Sequence, residues 1–279
     1  MNMSSVRQDA TPVLGSVSNL RVMMSAAMTT LNQPQSIYRV RAHNTAGDSE
    51  NKIHDDRVAA AYGFRGGLVP GMTVYGYMIP AVLARFGRRW LECGGITVRF
   101  VAPCYEGETL VACCDGSVVS AKHENGSLYA SGVVTIEDRP DQGVASFPFR
   151  SPPEMDHRPA ASSATILPGT PLGSIRATLD VEDIAAIPER WLHLANEILT
   201  RNFRMSPWIH AASEVRHHRL AACGQEVTVN GLIQECFERK GRKFAVAGMG
   251  MSASDGPSHR PVATVRHTFI YDLQAAHAR

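Results

Sequence analysis

Residues 48–72 read DSENKIHDDRVAAAYGFRGGLVPGM and contain four consecutive segments of different character. The first segment, which ends at His54, is polar. Residues 55–62 have the composition of a short polar helix, and the glycine-rich residues 63–67 predict a turn. Gly71 then opens a long apolar segment. This order predicts that a loop carrying His54 lies beside the beginning of a buried helix.

The apolar segment 72–86 predicts the central helix of the fold. It is apolar on nearly all sides, which is typical of a buried helix rather than a surface helix, and Pro80 predicts a kink in it. The strands predicted around it cover residues 37–42, 96–102, 108–119 and 129–137. We therefore expect residues 36–138 to form a first half in which a curved antiparallel sheet surrounds one helix.

The second half of the chain repeats this order. A strand is predicted at 175–181, and a helix at 188–203 has Pro188 in its first turn, where proline is tolerated. Strands are predicted at 212–220, 226–236, 243–251 and 262–273. Nine residues separate Val98 from Gly107 and Val215 from Gly224, and 27 residues separate Gly71 from Val98 and Pro188 from Val215. These matched spacings indicate an internal duplication.

Two helix-and-sheet halves in one chain predict an α+β fold, because pairing the halves covers the open strand edge of each. We expect residues 1–35 to be a mobile N-terminal extension and residues 139–172 to be a linker rich in proline, serine and alanine. Residues 173–279 should form a second half that is mainly structural.

The composition excludes several classes of protein. The 279 residues include 28 Lys+Arg and 26 Asp+Glu, a net charge of +2, which gives no electrostatic reason to expect nucleic-acid binding. No apolar stretch reaches the roughly 18 residues of a membrane-spanning helix, and the N-terminus does not read as a secretory signal. The six cysteines form no CxxC pair. We therefore expect no metal site and a cytoplasmic location.

The stretch 48–72 resembles the signature of the MaoC-like, (R)-specific enoyl-thioester hydratase/dehydratase family. That signature reads Asp-x-Asn-Pro-(Ile/Leu)-His, then a short helix, a Gly-Phe-x-Gly turn and a Gly-Met start of the central helix. The residues that match are Asn51, Ile53, His54, Gly63-Phe64, Gly67 and Gly71-Met72. The resemblance implies a double hot-dog fold and a lyase that hydrates or dehydrates an enoyl or 3-hydroxyacyl thioester or a related secondary-metabolite intermediate. It implies no metal or redox cofactor.

Three positions depart from this signature. Ser49 stands where the family has its catalytic aspartate, Lys52 stands where it has proline, and Pro70 replaces a histidine often found before the Gly-Met pair. Asp48 and Glu50 flank position 49. A one-residue bulge would bring Asp48 to the place of the missing acid.

Four residues are candidates for catalysis. His54 is the candidate base, because a modest shift moves the pKa of an imidazole across neutrality, and Asp48 would orient it. Asn51 would hold the water or the substrate by its amide, or would only cap the helix that follows. The N–H of Gly71 begins a helix without an intrahelical partner and suits a developing oxyanion. The candidates for substrate binding are Ser49, Gly67, Met72, Tyr75 and His210.

Two other functions remain open. One is a thioesterase, which the same fold supports with a carboxylate, and thioester hydrolysis without water addition would favour it. The other is a non-catalytic ligand-binding or partner subunit that has lost the acid at position 49. The expected partner is a small acyl substrate, linked to coenzyme A or a carrier protein, with no nucleic acid and no membrane. The chain would be a monomer built as a pseudo-dimer, or a homodimer.

Overall fold

The computed structural model describes residues 36–137, 147–205, 207–256 and 258–273. The predicted N-terminal extension lies outside these residues. The helices are α1 Asp56–Ala61, α2 Gly71–Phe86, α3 Trp90–Cys93 and α4 Ile187–Asn202. The strands are β1 Ser36–Arg41, β2 Gly94–Phe100, β3 Thr109–Asp115, β4 Val118–His123, β5 Leu128–Ile136, β6 Pro171–Thr178, β7 Ile209–His217, β8 Glu226–Arg239, β9 Arg242–Asp255 and β10 Ser258–Asp272.

The ten strands form one antiparallel sheet with a symmetrical order. The order is β1-β3-β4-β5-β2-β7-β10-β9-β8-β6. Read from either edge inward, each half presents its first, third, fourth, fifth and second strand, and in each half the long helix follows the first strand. The two halves therefore share one topology, as the spacings in the sequence predict.

The halves meet where β2 pairs with β7. Ile96 lies opposite Val215 and Val98 lies opposite Ser213 in this antiparallel ladder. All four side chains are at most 2% exposed, so the seam between the halves is part of the core. Because main-chain hydrogen bonds cross the seam, both inner strand edges are satisfied within one chain.

The helices α2 and α4 pack against each other inside the sheet and run in opposite directions. Near the start of α2, the sulfur of Met72 accepts a hydrogen bond from Asn196 Nδ2 in the second half of α4 at 3.4 Å. One turn further along α2, a side chain at Gly76 would overlap the carboxylate of Glu189 in the first turn of α4. Glycine at position 76 thus leaves room for the Glu189 carboxylate between the two helices.

Both long helices begin and end within one residue of their predicted bounds, and α2 continues through Pro80 as one helix. The single strand predicted at 108–119 is wrong. It ends at Asp115, and Gly116, with φ +57°, turns the chain into β4. The prediction overlooked the short segment Asp115-Gly116-Ser117, which marks this tight turn.

The stretch 147–170 between the halves contacts the rest of the fold. The side chain of Ile166 is 1% exposed, and the main chains of Ala161 and Arg204 are joined by a hydrogen bond of 3.0 Å. Strand β6 begins at Pro171, inside the range predicted as linker. In the part of the chain that the structure describes, no helix is long and apolar enough to cross a membrane.

Candidate active site

A pocket of about 180 Å³ lies between the two halves. The first half lines it with the loop that carries His54, the start of α2, and residues 100–104 after β2. The second half contributes α4 and residues 208–211 at the start of β7. The walls are mainly apolar, and the described lining contains no aspartate or glutamate.

The His54 loop is held by a small apolar cluster of its own. Ile53, Ala59 and Leu68 are buried together, apart from the main core. The Leu68 N–H donates to the Ile53 carbonyl at 3.2 Å. A side chain at Gly67 would overlap the His54 carbonyl oxygen, so glycine there allows the turn to close against the loop.

The hydrogen bonds of His54 fix its tautomer. Nδ1 lies 2.7 Å from the carbonyl oxygen of Leu68. Because a carbonyl only accepts, Nδ1 must carry the proton, and in the neutral ring Nε2 is left with a lone pair. Burial lowers the pKa of His54, partly offset by the bond to Leu68. The ring is therefore neutral near pH 7, with Nε2 available as a base.

Asn51 connects this histidine to the second half of the chain. Its Nδ2 lies 3.3 Å from His54 Nε2 and donates to the main-chain oxygen of Trp208 at 3.0 Å. Its Oδ1 accepts from the Trp208 N–H at 3.2 Å and caps the turn of 3-10 helix Lys52–His54 by accepting from the Ile53 N–H. Asn51 therefore caps a short helix and contacts His54, and the contact with water or substrate expected of its amide stays a prediction.

The first turn of α2 opens onto the same pocket. Pro70 precedes Gly71 and provides no side-chain cap, which leaves N–H groups at the positive end of the helix dipole. A Cβ at Gly71 would lie 3.0 Å from His210 Nδ1. Glycine thus leaves room for the imidazole of the second half to reach the helix end.

His210 belongs to a buried chain of three side chains. Its Nε2 lies 2.8 Å from Ser213 Oγ, which lies 3.0 Å from His267 Nδ1. The two imidazole rings are tilted by 30° with their centroids 4.1 Å apart, and the Phe100 ring centroid lies 4.5 Å from that of His210. Burial lowers the pKa of His267 to about 3 and that of His210 well below its usual value. Both rings are neutral at physiological pH.

The acidic residues beside position 49 lie away from this pocket. The Asp48 side chain is exposed and does not line it. Glu50 forms an ion pair of 3.1 Å with Arg158. Ser49 donates to the main-chain oxygen of Asn51 at 3.3 Å. The loop therefore has no bulge that turns Asp48 toward His54, and the proposed compensation for Ser49 is not seen.

Of the candidates for substrate binding, His210 lines the pocket and the other four do not. Tyr75 is fully buried in the core, and Met72 packs at the edge of the core against α4. Gly67 lies against the main-chain oxygen of His54, outside the pocket lining. Met72 and Tyr75 follow Gly71 in α2, but the rotation of the helix turns their side chains toward the core and α4.

Several pocket residues were missed by the sequence analysis. Asn196 and Trp208 lie in the second half of the chain, where no sequence motif identifies them as pocket residues. Cys104 also lines the pocket, but burial raises the pKa of its thiol to about 12, which makes it a poor nucleophile. Among the described residues, no group of three or more His, Cys, Asp or Glu side chains is arranged to hold a metal ion.

A basic hairpin tip borders the pocket and was also missed. Strands β8 and β9 are joined at Lys240 and Gly241, which both have positive φ, as a two-residue type I′ turn requires. Four of the five residues 239–243 are Arg or Lys, and Arg242 lines the pocket. The near-zero net charge of the whole chain concealed this cluster.

No protein-family model matches the chain, and no curated protein matches it. Solved structures do match. A conserved hypothetical protein from Mycobacterium tuberculosis, described as having a double hot-dog fold, matches with a TM-score of 0.56 and 13% identity, over 86% of this chain and 97% of that one. The chain has a double hot-dog fold. This confirms the α+β fold class that the sequence predicts.

Two further structures share this fold. An isomerase-inactive variant of GphF DH1 matches with a TM-score of 0.55 and 12% identity, over 88% of this chain and 94% of that one. A protein described as a MaoC domain dehydratase from Chloroflexus aurantiacus matches with a TM-score of 0.51 and 11% identity, over 87% and 95%. Other matching structures, with TM-scores of 0.44 to 0.49, are described as thioesterases. At these identities the likeness concerns the fold, and the chemistry has to be argued from the site.

Proposed function

We propose that this protein is a hydratase or dehydratase that acts on an acyl thioester. The observation that carries the proposal is that a neutral histidine, His54, whose unprotonated Nε2 accepts from the Asn51 amide, and the uncapped N-terminus of α2 at Gly71 line the same apolar pocket. Water addition to an enoyl thioester needs a base for the water and a donor for the enolate oxygen. This pocket offers both.

In the proposed reaction, water displaces the Asn51 amide from His54 Nε2, and Nε2 takes a proton from this water while the water oxygen bonds to the β-carbon of the enoyl group. The electron pair of the double bond moves toward the thioester carbonyl, and the resulting enolate oxygen accepts a hydrogen bond from the Gly71 N–H. The proton on Nε2 then passes to the α-carbon. Dehydration follows the same steps in reverse.

This scheme accounts for the serine at position 49. One imidazole can take the proton from water and return it to the α-carbon, so atoms and charge balance without a separate carboxylic acid. The hydrogen bonds from His54 Nδ1 to Leu68 and from Asn51 to Nε2 hold the ring in place. Positioning that an aspartate would supply is thus available from a main-chain carbonyl and an amide.

The basic hairpin tip supports a phosphorylated carrier for the acyl group. Arg239 and Arg242 lie directly opposite each other in the β8–β9 ladder, and like charges in such a pair destabilise a hairpin. A phosphate group at the pocket mouth would relieve this repulsion. The pantetheine arm of coenzyme A or of a carrier protein ends in such a phosphate, which favours a thioester on that arm as the substrate.

A thioesterase is the second candidate, and the pocket favours it less. Hot-dog thioesterases of the kind considered above use a carboxylate, and the described lining contains none. The thiol of Cys104 is held protonated by burial. Hydrolysis would therefore require His54 alone to activate water against the thioester carbon.

The test measures both reactions in one sample. Purified protein is incubated with a short enoyl-coenzyme A, the loss of enoyl absorbance reports hydration, and a thiol reagent reports hydrolysis. We expect hydration without thiol release, and His54→Ala should lower turnover by ~10²–10⁴, the range for a positioned acid–base group. The control variant His259→Ala changes an exposed histidine on β10 and should retain full activity. Thiol release without hydration would replace the proposal by the thioesterase, and unchanged turnover in His54→Ala would overturn the site.

A further inference from the structure

We infer that the second half of the chain recognises an oxygen function, a hydroxyl or a carbonyl, on the acyl group of the substrate. This inference rests on the proposed function, because it names the class of acyl group that the same pocket accepts. It comes from three residues of the second half that line the pocket, Asn196, Trp208 and His210. Each has a buried polar atom with no hydrogen-bond partner in the described part of the chain: Oδ1, Nε1 and Nδ1, respectively.

The three atoms differ in what they can bind. The indole Nε1–H of Trp208 only donates. The Asn196 amide is oriented by its Nδ2, which donates to the sulfur of Met72 at 3.4 Å. Since a thioether cannot donate, this orientation leaves Oδ1 as the free acceptor. A hydroxyl group, which donates and accepts, could bind both kinds of atom, whereas a carbonyl could bind only donors.

The third atom, His210 Nδ1, can take either role. Its ring is 7% exposed and its Nδ1 faces Gly71 at the start of α2. At the other side of the ring, Ser213 Oγ has one proton, which it can share with His210 Nε2 or with His267 Nδ1. If Ser213 donates to His210, then Nδ1 carries a proton and donates. If His210 Nε2 donates to Ser213, then Nδ1 accepts. The hydrogen bond to Ser213 therefore fixes the position of the His210 ring, while Nδ1 can act either as a donor or as an acceptor.

These atoms have no hydrogen-bond partner in the described part of the protein, and a plain hydrocarbon chain cannot provide one, whereas a hydroxyl that reaches them can. Buried polar groups without partners are costly, and sites that are built to bind a hydroxyl strongly reject analogues that lack it. The first half contributes the reacting groups and mainly apolar walls, so the polar atoms of the second half are the part of the pocket that can distinguish an oxygenated acyl group from an alkyl one.

The experiment compares matched ligands by binding and by turnover. Non-hydrolysable thioether analogues of acyl-pantetheine are prepared in pairs of equal length, with and without a hydroxyl at successive positions of the acyl chain. Calorimetry should show that, at one or two positions, the hydroxylated analogue binds at least about tenfold more tightly. The same position should raise kcat/KM for the corresponding enoyl thioesters.

Two variants test the assignment. Asn196→Leu removes the acceptor at nearly equal volume, and Trp208→Phe removes the indole donor while keeping the main-chain bonds to Asn51. Either should abolish the preference for the hydroxyl, and Asn196→Leu should improve binding of the alkyl analogue. His259→Ala should leave the preference unchanged. If Asn196→Leu does not fold, as judged by its melting curve, Trp208→Phe remains decisive.

The outcomes separate this inference from the proposed function. A preference in binding without any turnover would keep the recognition site and overturn the reaction. Hydration of both members of each pair at equal rates, with equal binding, would keep the reaction and overturn the recognition site. Equal affinity for alkyl and hydroxyalkyl analogues in all variants would mean that the ligand does not reach these three buried atoms, which also overturns the inference.

Discussion

At the scale of single residues, His54 owes its orientation to groups that are not acidic. The Leu68 carbonyl fixes the proton on Nδ1, and the Asn51 amide approaches Nε2. Both partners are themselves fixed, Leu68 by the small cluster under the loop and Asn51 by the main chain of Trp208. An imidazole held in this way needs no carboxylate to select its tautomer, which under the proposed function makes an acid at position 49 dispensable.

Arg242 is the residue whose role can be isolated most directly. It is exposed at the hairpin tip and lines the pocket. Arg242→Ala should raise KM for a coenzyme A thioester several-fold and leave kcat unchanged, because it removes one phosphate contact and no reacting group. For the same acyl group on N-acetylcysteamine, which has no phosphate, the variant should match the wild type. Steady-state kinetics with both substrates make the comparison.

The matched control for Arg242 is Arg219→Ala, a change at an exposed arginine between β7 and β8. It should affect neither substrate. An equal loss for both substrates in Arg242→Ala would contradict a role in phosphate binding and would indicate that this arginine only shapes the pocket mouth.

At the scale of secondary-structure elements, the contact between α2 and α4 contains a carboxylate in an unusual state. Glu189, in the first turn of α4, lies against Gly76 of α2. Burial raises its pKa to about 7, partly offset by a hydrogen bond with Thr73. Near neutral pH the carboxyl group of Glu189 is therefore about half protonated in the folded protein, whereas in the unfolded chain it ionises at its ordinary value.

This difference makes the packing of the two helices depend on pH. The pKa of Glu189 is higher in the folded state than in the unfolded state. Its contribution to stability is therefore complete below about pH 4.5 and is lost as the pH rises to about 7. Glu189→Gln mimics the protonated form. Relative to this variant, the wild type should lose stability across that range.

The measurement is the urea midpoint of both proteins at intervals between pH 4.5 and 8. The control is Glu182→Gln, which changes an exposed carboxylate before α4, and its difference from the wild type should not vary with pH. A constant difference between wild type and Glu189→Gln would show that Glu189 is ionised in the folded protein.

The helices and strands also show which parts of the fold the sequence pattern predicts. The helices α2 and α4 were predicted to within one residue, because long apolar periodicity and proline or glycine at the ends are strong local signals. Strand β4 was missed, because the predicted strand ran through Asp115-Gly116-Ser117, although Asp-Gly between apolar segments is a hairpin signal. Position 54 could be predicted from its local motif. Asn196 and Trp208 could not, since what brings them to the pocket is the pairing of two halves that are more than 100 residues apart in sequence.

At the scale of the whole molecule, several buried histidines link folding to protons. His210, His217 and His267 are each at most 7% exposed. Burial lowers the pKa of His217 and of His267 to about 3 and that of His210 well below its usual value. All three rings are neutral in the folded protein near pH 6, whereas the unfolded chain binds protons there.

The pKa values of these histidines are lower in the folded state than in the unfolded state. Their contribution to stability is therefore fully present above about pH 6.5 and is lost as the pH decreases toward 3. Each histidine should contribute a slope of ~1.4 kcal/mol per pH unit once the pH is well below 6.5. His217, whose ring contacts Trp90 at 4.7 Å and whose Nε2 has no partner in the described part of the chain, is outside the pocket. His217→Phe should reduce the slope of the free energy of unfolding against pH by the contribution of one histidine, without changing turnover.

The free energy of unfolding of wild type and His217→Phe, measured in urea between pH 4.5 and 6, provides the check. His259→Ala serves as the comparison, because an exposed histidine should leave the slope unchanged. Identical slopes for the wild type and His217→Phe would mean that His217 becomes protonated without unfolding.

The bond between Asn51 and the main chain of Trp208 has a consequence for recombining this protein with others of its fold. The link that crosses from the His54 loop to the second half involves only backbone atoms of that half, so it does not specify which side chains follow. A chimera that keeps residues 36–137 and takes another second half should retain an oriented His54 as long as one N–H and one C=O remain in place. If the proposed reaction and the inferred recognition of the acyl group hold, a library of second halves would vary the choice of acyl group while preserving the chemistry.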